Sequence, residues 1–170
     1  MNKKKLLRLI LILIPCVIID QITKYIARTS IKVKSISIIK DVLELEYLEN
    51  RGAVWGSFQG QIAAFVMLTV LLSALLLWAY FKIPDSRRLA PISYLICFII
   101  AGAIGNFIDR VIFGYVIDFI YFKIINFPIF NVADIYVTCS TILLAVLVLF
   151  YYKDEDFEWL KFKKNNSGDE

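Results

Sequence analysis

The sequence predicts a membrane protein with an all-α core: four transmembrane helices, a small extracytoplasmic β-sheet and an outer loop. Three observations carry that prediction. The 170 residues are 59% hydrophobic with a mean hydropathy of +0.70, which is too apolar for a soluble domain. Four apolar runs reach the roughly 20 residues needed to cross a hydrocarbon core about 30 Å thick. One stretch between the first two runs changes to a two-residue period.

The first run covers residues 6–27. Its start, "MNKKKLLRLILILIPC", imitates a cleavable lipoprotein export signal. Pro15 stands where a small residue is expected before the cysteine, and the apolar run continues through "VIIDQITKYIA". The expectation is a retained helix, with Pro15 as a place where it can bend. After it, Leu43, Leu45 and Tyr47 alternate with Glu44 and Glu46, the pattern of a half-buried strand. An outer sheet is expected over residues 31–60, its amphipathic part from Ile31 to Tyr47, with Asn50, Gly52, Gly56 and Gly60 marking turns or close backbone approach.

Helices two and three, residues 61–81 and 89–108, carry no charge at all. The segment that follows, "RVIFGYVIDFIYFKIINFPIFN", is apolar and aromatic but too short to span after Gly114. It is expected as an outer loop at the headgroup interface. Helix four covers residues 132–152, and residues 153–170 form a charged cytoplasmic tail with a frayed end. No internal repeat is visible, so residues 1–170 are expected as a single polytopic domain.

Orientation follows the lysines and arginines near the helix ends. With the N-terminus inside, eleven of nineteen fall on the cytoplasmic side, and the dense cluster Lys3, Lys4, Lys5 and Arg8 decides the choice. Both termini are then cytoplasmic. The net charge of +4 is modest, and the basic residues form no stripe with interleaved aromatics, which excludes nucleic acid as the expected partner. Without histidine, Ser-His, Cys-His and His-Glu-x-x-His chemistry are ruled out. The cysteines Cys16, Cys97 and Cys139 lie in apolar runs without pairing or metal spacing and are expected as small buried hydrophobes.

Four acids stand out. Asp20 lies about 21 Å along helix one at 1.5 Å per residue, Asp109 ends helix three, Asp118 lies in the outer loop and Asp134 opens helix four. All four therefore reach the same membrane face. Three have plain structural readings. Asp20 and Lys24 form an i, i+4 pair that neutralises itself. Asp109 and Arg110, on a face shared with Asn106, form a helix-end charge pair. Asn131 is an N-cap with Asp134 at N3, where a carboxylate suits the helix dipole and returns a bond to the cap. Asp118 has no such reading, since "GYVIDFIYF" places it among apolar neighbours with no Lys or Arg within four residues. Its natural partner is Asp134, and two carboxylates sharing a proton support acid–base cleavage of an amide.

Five pieces, "DQITKYI", "NRGAVWG", "GAIGNFIDR", "GYVIDF" and "FNVAD", occur in order on this four-helix chain. In these pieces residues 5–152 resemble the bacterial lipoprotein signal peptidases, the signal peptidase II family. The resemblance implies an intramembrane aspartic endopeptidase, a hydrolase of the bacterial inner membrane with its active site toward the extracytoplasmic face. Such an enzyme removes the signal peptide from prolipoproteins, cutting before a cysteine that already carries diacylglycerol. The family's catalytic aspartates fall on Asp118 and Asp134. Its other polar positions, which bind substrate or brace the site, fall on Asp20, Lys24, Asn50, Gly52, Asn106, Asp109, Arg110 and Asn131. The implied partners are lipidated prolipoproteins, membrane lipid and globomycin-type inhibitors, with no cofactor and no metal. The chain departs from the family at Val54 and Trp55, where Ala-Phe is frequent, and at Ala101, where a second glycine is frequent; these changes bear on pocket shape. The alternative is a small transporter or proton-conducting protein in which Asp20, Lys24, Asp109 and Arg110 form a charged pathway. A third reading, a non-enzymatic membrane assembly factor, needs no acid at Asp118.

Overall fold

The computed structural model describes residues 2–52 and 62–160. The expectations for Val54, Trp55, Gly56, Gly60, the first residue of helix two and the end of the tail lie outside the described residues. Among the described residues four helices are long and apolar enough to cross a membrane: α1 (Lys3–Ile26), α2 (Ile62–Lys82), α3 (Ala90–Phe113) and α4 (Val132–Phe150). Three strands, β1 (Ile36–Ile39), β2 (Leu43–Asn50) and β3 (Val116–Phe122), form one antiparallel sheet in the order β1-β2-β3.

Helix α1 begins on Asn2, whose side chain accepts from the Lys4 N–H at 3.0 Å, and runs without interruption through Pro15. It does not stop at Ala27. A π-helical turn, Ala27–Ile31, carries it further, with the Lys32 N–H reaching back to the Ala27 carbonyl at 3.0 Å. The sheet therefore starts at Ile36 rather than Ile31, and Ala27 and Ile31 are buried beneath it against Ile117 and Phe119.

Helix α3 is the central post, packed against α1, α2 and α4. Half of its apolar window is buried, whereas none of that of α2 is, so Leu68, Leu71, Leu72 and Leu75 of α2 face outward as a lipid-facing surface should, while Leu76 and Leu77 pack against the core. Leu9, Tyr80, Ile83, Ile92, Ile96, Ile100 and Tyr152 form the core at the end away from the sheet. There Lys5 donates to the carbonyls of Phe81 and Ile83, and the Tyr80 hydroxyl donates to the Lys5 carbonyl at 2.8 Å.

Helix α3 also runs longer than its apolar stretch. Asn106, Asp109 and Arg110 end the hydrophobic run but not the helix, because Asn106 and Asp109 are buried in protein and need not meet lipid. Gly114 ends it, in the left-handed conformation (φ 74°) that lets its N–H bond the Arg110 carbonyl at 3.1 Å. The chain then enters β3 directly, so the expected outer loop is in its first part a strand. Val116, Ile117, Asp118 and Phe119 are all buried, because β3 lies between β2 and the helix ends. Both faces are covered, which removes the alternation that would have marked it as a strand.

Two of the three cysteines, Cys16 and Cys97, are buried as expected, but Cys139 is exposed, and all three are free thiols. Cys139 sits on α4 facing an open cavity rather than a helix neighbour.

Close contact between α3 and α4 depends on Gly102. A Cβ there would lie 2.4 Å from the Ala133 carbonyl oxygen and 2.7 Å from Val137 Cγ2. Gly102→Ala is expected to destabilise the protein by about 1–3 kcal/mol, the usual range for overpacking. Thermal unfolding of the detergent-solubilised protein measures it, and an unchanged midpoint would mean that the two helices sit further apart than described.

Candidate active site

The polar residues singled out in the sequence come from α1, α3, β3, the end of β2 and the start of α4, and together they meet where the sheet joins the helices. Lys24 is the meeting point. The residue is only 1% exposed, and its ammonium lies 2.9 Å from Asp20 Oδ2, 3.0 Å from Asp109 Oδ2 and 2.8 Å from Asn106 Oδ1, so all three of its hydrogens have an acceptor. The Asp20–Lys24 pair is real but incomplete as a description, since Asp109 shares the cation. The expected Asp109–Arg110 pair does not form: Asp109 turns inward to Lys24, and Arg110 turns the other way into the cavity, its guanidinium 5.2 Å from the Phe65 ring centroid.

The two acids that hold Lys24 also tie down neighbouring backbone. Asp20 Oδ1 accepts from the Ala133 N–H of α4 at 2.9 Å, and Asp109 Oδ2 accepts from the Ile117 N–H of β3 at 3.1 Å. Gln21 spans both acids, with its amide nitrogen 3.2 Å from Asp20 Oδ2 and 3.1 Å from Asp109 Oδ1. Gln21 is not among the residues expected from the sequence, although a second polar residue beside Asp20 in an apolar helix is a usable signal. Gly105 was also passed over as a site residue: a Cβ there would lie 2.4 Å from Asp20 Oδ2, so the acid needs the space that glycine leaves.

From Lys24 a line of side-chain amides leads to the remaining carboxylates. Because Asn106 presents its oxygen to Lys24, its nitrogen faces Asp134 and donates to Oδ1 at 2.7 Å. Asn131, fully buried, donates from its amide nitrogen to Asn106 Oδ1 at 3.1 Å and to Asp118 Oδ1 at 2.6 Å. The oxygen of Asn131 caps α4, accepting from the Asp134 N–H at 2.9 Å, while Asp134 Oδ2 accepts from the Asn131 N–H at 3.2 Å. Capping and orientation are thus one structure. On the other side, Asn50 at the end of β2 donates to Asp118 Oδ2 at 2.8 Å, and its own oxygen is held by the Gly52 N–H at 3.0 Å.

Asp118 and Asp134 line one cavity of about 1120 Å³, together with Asn50, Gly52 and Arg110. Its walls are largely apolar, with Phe65, Ile120, Phe122, Phe127, Phe130 and Ile135 among them. Asp118 is 1% exposed, and burial first, then the charge of Asp134, pushes its carboxyl up from 3.8 to about 7 against the pull of the Asn50 and Asn131 amides. An acid in this state holds a proton near neutrality and can donate it.

A helical membrane bundle with one buried and one half-buried carboxylate on a roomy, mostly apolar cavity belongs with membrane-embedded enzymes, and solved structures agree. The chain is similar to a bacterial membrane enzyme determined by the in meso method at 2.3 Å, with a TM-score of 0.75, 37% identity and coverage of 92% of this chain and 93% of that one. A second such enzyme, determined at 1.9 Å, gives a TM-score of 0.73 and 38% identity over 85% of this chain and 94% of the other. The family model for signal peptidase (SPase) II matches residues 12–150, and the chain belongs to the signal peptidase II family, which makes it a peptidase. Similar relatives include the lipoprotein signal peptidases of Caldanaerobacter subterraneus subsp. tengcongensis, 40% identical with 79% of this chain and 90% of the relative covered, and of Clostridium novyi, 39% identical with 82% and 96% covered. That of Staphylococcus aureus strain MRSA252 is 40% identical, with 82% and 86% covered.

Removing the Lys24 charge leaves Asp20 and Asp109 buried side by side without their cation. Lys24→Met is therefore expected to cost about 3–5 kcal/mol, the range for breaking a buried ion pair from one side. Asp20→Asn, which leaves Lys24 paired with Asp109, is expected to cost less. Unfolding midpoints of the two variants in the same detergent test the order, and equal losses would show that Asp109 does not share the cation.

Proposed function

We propose that this protein is an aspartic endopeptidase of the bacterial cytoplasmic membrane that removes the signal peptide from diacylglyceryl-modified prolipoproteins, cleaving just before the lipidated cysteine. The observation that carries the proposal is the pair of differently placed carboxylates on one cavity. Asp118 is buried with a raised affinity for its proton, and Asp134 is held by Asn106 and its own helix cap. Family membership and the names of the relatives support the same substrate class.

In this reading Asp118 carries the shared proton and Asp134 is ionised. Asp134 takes a proton from a water as the water oxygen attacks the scissile carbonyl carbon, and Asp118 gives its proton to the carbonyl oxygen. The tetrahedral diol then collapses: the C–N bond breaks, a proton passes to the departing amine of the cysteine, and the dyad is left with one proton again. Arg110, on the same cavity wall, positions the substrate backbone through its remaining N–H donors. The apolar walls receive the signal peptide and the diacylglycerol chains, which enter from the surrounding lipid, and globomycin-type inhibitors occupy the same space.

The active site faces the extracytoplasmic side in this reading, with both termini in the cytoplasm. Cleavage before a lipidated cysteine on the outer face requires the sheet end of the bundle to lie there.

Asp118→Asn and Asp134→Asn are each expected to lower the rate of prolipoprotein processing by about 10²–10⁴-fold, the range for loss of a general acid or base, while the protein still inserts and folds. Cleavage of one lipidated prolipoprotein in detergent by the purified variants measures this, and substantial turnover by either variant removes that residue from the dyad.

The pH dependence follows from the raised affinity of Asp118. A carboxyl shifted up to about 7 is protonated below that pH and loses its proton above it, so the acid required for the first step disappears on the alkaline side. The kcat/KM of the wild-type enzyme is expected to fall with a single-proton limb near pH 7. A flat profile to pH 9 would assign the proton donor elsewhere.

A further inference from the structure

Strand β2 forms one wall of the large cavity, and its acids are unequally employed. Glu44 is paired with Lys123 at 2.8 Å, and Glu49 with Lys32 at 2.9 Å and Arg51 at 3.2 Å. Glu46 also lines the cavity and is exposed, yet among the described residues no cation is paired with it. The neighbouring segment 53–61, "AVWGSFQGQ", contains no lysine or arginine to supply one. Among the described residues nothing in the fold makes use of this charge.

Its position gives it one. Glu46, Leu48 and Asn50 are alternate residues of β2 and all line the cavity, and Asn50 holds Asp118. Four residues of strand span about 13 Å at roughly 3.3 Å each, somewhat less across the bulge between Leu45 and Leu48. A peptide extended along this wall from the dyad therefore brings its third or fourth residue to Glu46. That residue belongs to the mature segment, because the other side of the cut is an apolar signal sequence in the membrane. The two arginines on the cavity do not offset Glu46: Arg51 is paired with Glu49, and Arg110 lies over Phe65 beside the dyad.

We propose that Glu46 is a specificity residue, a free carboxylate on the β2 wall that selects substrates with lysine or arginine at the third or fourth position of the mature segment. The inference rests on the peptidase reading above and deepens it. An exposed charge pair is modest, so the expected preference is about twofold to fivefold in kcat/KM, and it weakens as salt rises.

The test uses two forms of one lipidated prolipoprotein, with Lys-Lys or Glu-Glu at the third and fourth mature positions. Both are cleaved by the full-length wild-type enzyme and by Glu46→Gln and Glu46→Lys in the same detergent. The expected result is faster cleavage of the Lys-Lys form by wild type, no preference in Glu46→Gln, and a reversed preference in Glu46→Lys. Equal kcat/KM for both forms with wild type, or a preference unchanged in Glu46→Gln, overturns the inference and leaves the peptidase reading intact. Failure of wild type to cut either form overturns both.

Discussion

The three hydrogens of one ammonium group organise the polar half of this molecule. Lys24 is buried where a lone cation would be costly, and it is tolerated because Asp20, Asp109 and Asn106 enclose it. Each of these acceptors has a second duty. Asp20 bonds the first turn of α4, Asp109 bonds the start of β3, and Asn106 turns its amide toward Asp134. Four elements are thereby fixed to one charge. The apolar packing of the bundle sets distances between helices, but the rotational setting of α3 and α4 about their axes depends on these polar bonds.

Strand β3 is the hinge between the two kinds of structure in the chain. It follows α3 after the single left-handed residue Gly114, so Asp118 arrives at the cavity only five residues beyond the helix. Pairing with β2 sets Asp118 opposite Leu48 and brings Asn50 alongside, opposite Val116. A carboxylate on a mobile loop would need reorganisation before it could act on a bound amide. Here the strand ladder on one side and the amide of Asn131 on the other hold it in place.

Much of this was legible in the sequence, and for identifiable reasons. The four helices show as runs of spanning length, and the convergence of Asp20, Asp109, Asp118 and Asp134 follows from helix geometry alone. The capping role of Asn131 was visible from its spacing to Asp134. What was not legible depended on burial. The last turns of α3 were lost because Asn106, Asp109 and Arg110 look like an exit from the membrane when they are in fact sheltered by protein. Strand β3 was lost because, covered on both faces, it carries no alternation. The partner of Asp109 was misjudged because adjacency to Arg110 is a one-dimensional cue, whereas the pairing with Lys24 crosses from one helix to another. Cys139 was misjudged because an apolar neighbourhood in sequence does not reveal that a helix face borders a cavity.

The links between the Lys24 cluster and the two cavity aspartates are carboxamides. Asn106 and Asn131 transmit direction, since each amide presents oxygen on one side and nitrogen on the other, but neither takes up or releases a proton near neutral pH. They act as an electrical insulator with mechanical stiffness. The pair Asp118 and Asp134 is therefore joined to the Lys24 cluster by groups that fix geometry without relaying a proton. An aspartate at either asparagine position would preserve size but set a titratable group between the two clusters and remove an amide donor from the carboxylate it now holds.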